Sequence, residues 1–240
     1  SADDVGLYSI FAVVGGLVAA TVIRTINARG DVLRAGTWVG LAQAAVVLGI
    51  HLFEGNDSIG VLAMLCAIGF VSGVLSSLAA LSLTPLVEVT FRYTTELKLL
   101  ELANLNHPAL KELLVEAPGS YHHSIMVGAL VEAAADEIGA NSLLTRVMAY
   151  YHDLGKGCNA PYFIENQRGG KNPHDKLKPS MSAMIIKRHV TDGLEIAKRH
   201  KLGEPILDGI AQHHGTTLIH YFYHKAREAL TQDESISEHE

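Results

Sequence analysis

A histidine and an aspartate stand side by side in the segment Ala149-Tyr150-Tyr151-His152-Asp153-Leu154-Gly155-Lys156, at the end of an apolar helical run. Successive residues of a helix point about 100° apart, so the two side chains cannot present parallel faces to one small ligand. They can instead flank a cation, or the carboxylate can bridge two cations with one oxygen each. Gly155 lets the helix end, and Lys156 places a positive charge where an anionic substrate would gain from it.

The chain contains 13 histidines, and several of them stand near the ends of predicted helices. Together with one aspartate they form a candidate metal-binding set: His123, His152, Asp153, His189, His213 and His214. Any one such histidine is more often a surface or hydrogen-bonded core residue, but two adjacent pairs, one of which contains an aspartate, together favour a metal site. Imidazole and carboxylate without thiolate suit Fe, Mn or Zn in an open catalytic site. Six ligands suit two ions roughly 3.5–4 Å apart, bridged by the aspartate.

The remaining histidines are interpreted as surface or loop residues, or as residues that support the ligands from behind. They are His51, His107, His122, His174, His200, His220, His224 and His239, with His122 the best candidate for a supporting role because it neighbours His123.

Beyond residue 87 apolar residues recur at helical spacing, and no stretch alternates with the period of two that a strand requires. Helices are predicted at 88–105, from Pro108 after a turn, from Tyr121 with Ser120 as N-cap to Gly139, and at 142–154, 180–189, 192–200, 204–213 and 217–229. Residues 157–179 are rich in Gly, Pro and Asn, and we expect an ordered lid near the site. The soluble part is therefore predicted to be all-α.

Residues 1–87 contain only eight of the 19 basic and 25 acidic side chains. Apolar runs at about 5–23, 35–53 and 59–84 are each long enough to cross a hydrocarbon core of roughly 30 Å. We therefore expect a membrane part at 1–87 with three transmembrane helices. Connecting helices at 88–117, a metal-binding domain at 118–230 and an acidic tail at 231–240 follow. Small residues in the third run would permit close packing in lipid, namely Gly69, Ser72, Gly73, Ser76 and Ser77.

The connections between the apolar runs predict the orientation. The first carries Arg24, Arg29 and Arg34 against one aspartate, whereas the second carries Glu54 and Asp57 and no basic residue. By the positive-inside tendency the first connection is cytoplasmic, and so is the domain that follows the third run. The two cysteines suggest no disulfide framework and fit a reducing compartment.

The net charge of −6 argues against a nucleic-acid polymer as partner, because such binders carry basic stripes. A small charged ligand and a lipid bilayer remain the expected partners, and signalling through membrane helices would suit a homodimer. The chain begins with Ser1 and enters an apolar helix by Val5, as we expect of an internal piece of a longer protein.

These features carry a resemblance to a known family. The spacing of the six candidate ligands resembles that of the HD-domain metal-dependent phosphohydrolases with a two-metal centre. Over roughly residues 85–230 the chain resembles the bacterial seven-transmembrane HD receptors, in the runs APGSYHHSIMVGALVEAAADEIGAN, LLTRVMAYYHDLGK, PYFIENQ, NPHDKLKPSMSA and QHHGTTLIHYFYHKA.

The resemblance implies hydrolysis of cyclic di-AMP to linear pApA by two ions, iron or manganese, at the six ligand positions. It also implies that the three apolar runs are the last of seven and that an extracellular domain precedes Ser1. HD domains use a further aspartate on a later helix, which we expect to lie beyond Glu240; Asp233 is not assigned that role. Residues 157–160 lack the basic residues that the resemblance leads us to expect before Pro161.

The mechanistic hypothesis is in-line attack of a metal-activated water on phosphorus, with Asp153 at the metals and Lys156 neutralising phosphate charge. Lys176, Lys178 and Thr216 are further candidates for phosphate contacts, although the lysines fit a solvated face and Thr216 fits a helix cap. Two alternatives remain open at this point. One is a membrane receptor that binds a nucleotide without cutting it, and the other is a hydrolase of a different cyclic dinucleotide or nucleotide.

Overall fold

The computed structural model describes residues 2–24, 29–54, 58–91, 93–167 and 169–237, among which there is no β-strand. The described part contains the helices α1 Ala2–Ile23, α2 Arg29–Glu54, α3 Ile59–Phe91, α4 Glu96–Leu102, α5 Pro108–Glu116, α6 Pro118–Glu137, α7 Ser142–Tyr151, α8 Pro179–Arg199, α9 Glu204–Gln212 and α10 His220–Ser237. The chain divides into two compact units, Ser1–Tyr93 and Thr94–Glu240. The prediction of an all-α fold is confirmed.

The first unit consists of α1, α2 and α3, and α2 and α3 approach each other closely through glycines. A Cβ on Gly73 would collide with the backbone of Gly40, and one on Gly40 would collide with the carbonyl of Phe70. Ser72 Oγ donates a hydrogen bond of 2.8 Å to Oε1 of Gln43, a residue that is buried in this unit. Small residues at a helix interface and a polar pair between helices are typical of packing in lipid.

Two helices of the described part are long and apolar enough to cross a membrane, Gly30–Leu52 and Ile59–Phe91. In α1 the apolar stretch Tyr8–Ile23 is shorter. The acidic connection used to predict the orientation falls largely outside the described residues, since Asp57 and the side chain of Glu54 are not among them.

The predicted helix over 88–105 is wrong, because two helices share this stretch. Helix α3 continues to Phe91, and α4 begins only at Glu96. Thr95 starts α4, since its hydroxyl oxygen accepts a hydrogen bond of 3.2 Å from the Lys98 amide. A side-chain cap of this kind satisfies an amide that the first turn leaves unpaired.

The separate helices predicted at 180–189 and 192–200 are also wrong, because α8 is continuous from Pro179 to Arg199. The helix passes through Gly193, where a Cβ would lie 3.1 Å from a methyl group of Ile210. The glycine therefore lies where α8 packs closely against α9.

The termini of two further helices differ from the predictions. Helix α6 begins at Pro118, so Ser120 lies inside it and is not its N-cap. Helix α10 begins at His220, later than the predicted 217, and extends to Ser237, so the acidic tail from Thr231 is helical over its described residues. The tail contains neither proline nor glycine, so nothing in its backbone interrupts the helix.

The segment predicted as a lid contains 3-10 turns at Leu154–Tyr162, Ile164–Asn166 and Pro173–Lys176, and the first is interrupted by non-helical backbone at Asn159. These turns follow α7 directly and lead into α8. The chain between the two helices therefore has regular local structure over most of its described length.

The core of the second unit is formed by α4, α5, α7, α8 and α9 together with the first 3-10 turn. Its fully buried members include Leu102, Leu110, Val147, Tyr151, Ala197, Leu202, Ile206 and Ile210. The hydroxyl of Tyr151 donates a hydrogen bond of 2.8 Å to the Leu102 carbonyl, and burial raises the pKa of this phenol. Because Tyr151 immediately precedes His152, this anchor fixes the end of α7 at which the candidate metal ligands begin.

Candidate metal centre

Asp153 lies just beyond the end of α7 and is almost completely buried, with 1% of its surface exposed. The chain turns here because His152 is the C-cap of α7 and Asp153 leaves the helical conformation. Gly155 then passes directly against α8, where a Cβ would collide with the carbonyl of His189 and the amide of Gly193. This close approach brings the aspartate next to the histidine of α8.

Three histidine rings around Asp153 are oriented by the same kind of hydrogen bond. Nδ1 of His152 is 2.7 Å from the Ala149 carbonyl, and Nδ1 of His213 is 2.8 Å from the Ile210 carbonyl. His189 makes the equivalent bond three residues back in its own helix. A carbonyl only accepts, so each Nδ1 carries the proton and each Nε2 presents a lone pair, as in a neutral metal ligand.

These Nε2 atoms converge on the two oxygens of Asp153. His152 Nε2 is 3.0 Å from Oδ2, whereas His189 Nε2 and His213 Nε2 are each 3.7 Å from Oδ1. The Nε2 atom of His189 lies 3.3 Å from that of His213 and also 3.3 Å from that of His214. Lone pairs facing one another at such distances repel, and a cation among them removes the repulsion.

His123 completes the second half of the site from the first turns of α6. Its Nε2 lies 3.9 Å from Asp153 Oδ2, and its side chain is 46% exposed. The candidate ligands fall into two sets, each with its donor atoms within 4.8 Å of one another: His189, His213 and His214 in one, and His123, His152 and Asp153 in the other. Asp153 therefore lies in the buried interior of the site, and His123 lies on the side that is exposed to solvent.

Burial keeps the histidines of the first set in the form that binds metal. It lowers the pKa of His213 to about 4 and also lowers the pKa values of His189 and His214. An imidazole must be unprotonated to donate a lone pair. At neutral pH these side chains are therefore ready ligands.

The Asp153 carboxylate is charged and is paired with the ammonium of Lys156. Burial alone would raise the pKa of Asp153, but its interactions with His152 and with the ammonium of Lys156 outweigh burial and hold that pKa below its usual range. Among the described residues its buried Oδ2 has no aligned hydrogen bond, although the Lys156 ammonium lies 2.8 Å away. A buried carboxylate with imidazole nitrogens beside both of its oxygens fits a divalent cation.

Lys156 is held inside the site. Its Nζ lies 2.8 Å from Asp153 Oδ2 and 2.8 Å from Glu165 Oε1, and 14% of its side chain is exposed. Burial by itself would lower the pKa of Lys156, but the two carboxylates outweigh burial and raise it. The sequence reasoning missed Glu165; the available signal was a carboxylate directly after the apolar residues Pro161–Ile164.

The other candidates for substrate contacts occupy exposed positions. Lys176 ends the third 3-10 turn, Lys178 is the N-cap of α8, and Thr216 follows Gly215 in the connection to α10. Thr216 is not the cap of α10, which begins only at His220.

Two of the remaining histidines, His122 and His174, differ in how far they are exposed to solvent. His122 is exposed on α6, whereas His174 is buried between the rings of Tyr162 and Phe222. The Nε2 atom of His174 is 2.9 Å from the Tyr162 carbonyl, so this residue ties the third 3-10 turn to the first.

The all-helical unit with a His-Asp pair at its centre has the architecture of an HD domain, a class of metal-dependent hydrolase domains. Residues 120–238 match the HD domain model, and residues 6–95 match the model of the 7TM receptor with intracellular HD hydrolase. The chain belongs to this family of membrane receptors with an HD domain.

Two relatives carry the name cyclic-di-AMP phosphodiesterase PgpH. The protein of Listeria monocytogenes serotype 1/2a (strain 10403S) is 45% identical over 222 residues, 92% of this chain and 31% of that protein. The protein of Bacillus subtilis (strain 168) is 42% identical over 229 residues, 94% of this chain and 32% of that protein. The chain thus spans about a third of the length of the curated relatives it matches.

A solved structure is similar to the second unit. The L. monocytogenes phosphodiesterase PgpH HD domain, crystallised in complex with cyclic-di-AMP, is 58% identical with a TM-score of 0.51. The match covers 52% of this chain and 59% of that one.

Proposed function

We propose that this protein is a membrane-anchored phosphodiesterase that hydrolyses cyclic di-AMP to pApA at a two-metal centre. The observation that carries the proposal is the convergence of imidazole Nε2 atoms on both oxygens of Asp153. The choice of cyclic di-AMP is supported by the names of the two PgpH relatives and by the bound ligand of the similar HD domain.

The six ligands would hold the ions as two sets that share the aspartate. His189, His213 and His214 form one set, His123 and His152 form the other, and Asp153 places one oxygen toward each. Fe or Mn is the expected metal, as the family resemblance implies, with Zn as the alternative, because imidazole and carboxylate without thiolate suit all three ions. Such ions, when bound, supply a water of lowered pKa and polarise the phosphoryl oxygens.

The side chains of this chain would then do the remaining work. The backbone carbonyls of Ala149 and Ile210 hold their histidine rings in the ligating orientation, which spares that reorganisation when the site is filled. Lys156 presents an ammonium beside Asp153, where charge develops on the phosphate in the transition state. The open side near His123 gives the dinucleotide access. Lys176, Lys178 and Thr216 remain proposed phosphate contacts.

The membrane arrangement belongs to the same proposal. Helices α1, α2 and α3 are proposed to cross the bilayer as the last membrane helices of the receptor, with the HD domain from 118 to 230 in the cytoplasm. The support is the match of residues 6–95 to the receptor model and the basic first connection. A homodimer, as the family's signalling role suggests, is part of this proposal.

The test is a paired assay on the full-length protein in detergent. Bound Fe, Mn and Zn are quantified, and hydrolysis of cyclic di-AMP and cyclic di-GMP is followed with wild type and Asp153→Ala. We expect about two metals per chain and pApA from wild type, with loss of both metal and product in the variant. Tight nucleotide binding without metal or turnover would leave a receptor instead of an enzyme.

A further inference from the structure

Two carboxylates hold Lys156 in place, and only one of them is a candidate metal ligand. Asp153 belongs to the candidate ligand set, whereas Glu165 lies outside it, and each places an oxygen 2.8 Å from Nζ. The ammonium also lies over the ring of Phe163, 5.1 Å from its centroid. A solvated lysine would have none of these neighbours, so the position of this cation is built into the fold.

Glu165 is itself held by the first turn of α6. Ser120 Oγ donates a hydrogen bond of 2.7 Å to Glu165 Oε1, and Asn166 Nδ2 donates one of 2.9 Å to Ser120 Oγ. The Ser120 amide donates to Asn166 Oδ1 at 3.1 Å. A Cβ on Gly119 would collide with the Glu165 carbonyl. The carboxylate is therefore positioned independently of Lys156.

The charge balance around Lys156 explains why the Glu165 carboxylate is needed. When divalent ions take the oxygens of Asp153, that carboxylate no longer compensates the ammonium, which then faces a net positive centre. A buried cation without its own anion is strongly destabilised. Glu165 supplies an anion that the metals do not use.

We propose that Glu165 is a positioning residue that keeps the Lys156 ammonium beside the metal centre, where it faces the phosphodiester. The inference rests on the proposed function and deepens it, because it identifies what keeps the phosphate-facing cation in place. Ser120 and Asn166 act through Glu165 and have no direct role toward substrate.

The first test needs no activity. Metal-free protein in detergent is treated with an amine-reactive label, and modification of Lys156 is followed by mass spectrometry. In Glu165→Gln we expect modification roughly tenfold faster than in wild type, since the amide oxygen of glutamine is neutral and the ion pair with the ammonium is lost. The matched control is Glu195→Gln, which removes an exposed carboxylate on α8 and should label like wild type. Equal rates in wild type and Glu165→Gln would overturn the proposal.

The second test is a double-mutant cycle on hydrolysis of cyclic di-AMP. Glu165→Gln should lower kcat with little change in KM and in bound metal. The double variant with Lys156→Ala should be no slower than Lys156→Ala alone, since Glu165 acts only through the lysine. Glu165→Asp, which keeps the charge, should recover part of the rate.

Two results would contradict the inference in this cycle. Independent, multiplying effects of the two substitutions would show that Glu165 acts on something else, and loss of metal in Glu165→Gln would make it a support of the ligand set. If wild type shows no hydrolysis, the proposed function fails, and the labelling experiment still decides whether Glu165 holds Lys156.

Discussion

At the scale of single residues, the candidate centre depends on which nitrogen of each imidazole carries the proton. The backbone carbonyls of Ala149 and Ile210 accept hydrogen bonds from the protonated Nδ1 atoms of His152 and His213, and this leaves their Nε2 lone pairs directed at Asp153. Without a cation the Nε2 atoms at 3.3 Å from one another gain nothing from their proximity. The arrangement is therefore a preorganised ligand set and contributes little to stability by itself.

The depressed pKa of His213 predicts a pH dependence of stability in metal-free protein. The folded pKa is about 4 and the ordinary value is 6.5, so between these values the unfolded state binds the extra proton. The contribution of His213 to the free energy of unfolding should therefore increase from pH 4 to 6.5. It should be fully present above pH 6.5 and be lost as the pH falls toward 4. We expect about 1–2 kcal/mol after allowance for partial solvent exposure of the ring.

The measurement is thermal unfolding of chelator-treated protein at a series of pH values between 4 and 7. His213→Gln serves as the comparison, because glutamine does not titrate in this range. The dependence should be weaker in the variant, with the remainder due to His189 and His214, whose pKa values are also lowered. Identical pH profiles for wild type and His213→Gln would show that this imidazole is not held neutral by burial.

At the scale of elements, the contact between the turn after α7 and helix α8 decides whether the site forms. Gly155→Ala would place a Cβ against the carbonyl of His189 and the amide of Gly193, neither of which can move without moving α8. We expect a loss of roughly 1–3 kcal/mol of unfolding free energy, because overpacking at a backbone contact forces the elements apart. Metal stoichiometry should fall with it, since Asp153 moves away from His189.

The matched control for this substitution lies two residues further on. A Cβ on Gly157 would be 3.5 Å from Glu116 Cβ, which is ordinary van der Waals contact. Gly157→Ala should therefore leave both the melting temperature and the bound metal close to wild type. If the two variants behave alike, the close approach at Gly155 is not what assembles the ligands.

At the scale of the whole molecule, a predominantly apolar helical unit precedes a unit that carries the candidate chemistry. The proposed orientation places the second unit in the cytoplasm, and Cys158 offers a probe because its thiol is free and the residue is exposed. In a Cys66→Ala background, a membrane-impermeant maleimide should modify Cys158 in inverted vesicles and leave it unmodified in intact cells. Modification in intact cells would place the domain on the opposite side of the membrane.

The sequence alone was enough for the family, the all-α class and the distribution of apolar helices, because these depend on local periodicity, on charge and on motifs. It also singled out the six candidate ligands, since His and Asp near helix ends have few other reasons to recur together. It did not locate the break after Phe91 or the continuity of α8 through Gly193. From neighbouring residues alone, Thr95 as a helix cap cannot be told from a threonine inside a helix. In the same way, a glycine that allows two helices to pack closely cannot be told from one that ends a helix.

Only the tertiary structure decided how these residues meet. His123 and His214 come from helix ends 91 positions apart in the chain, and nothing local specifies their common centre. Glu165 is positioned by hydrogen bonds from Ser120, 45 residues away in the chain, and from Lys156, nine residues away. Distances of this kind depend on how helices pack. The sequence therefore determined which groups this protein has available for chemistry, whereas the packing of α6 to α9 determined which of them share a site.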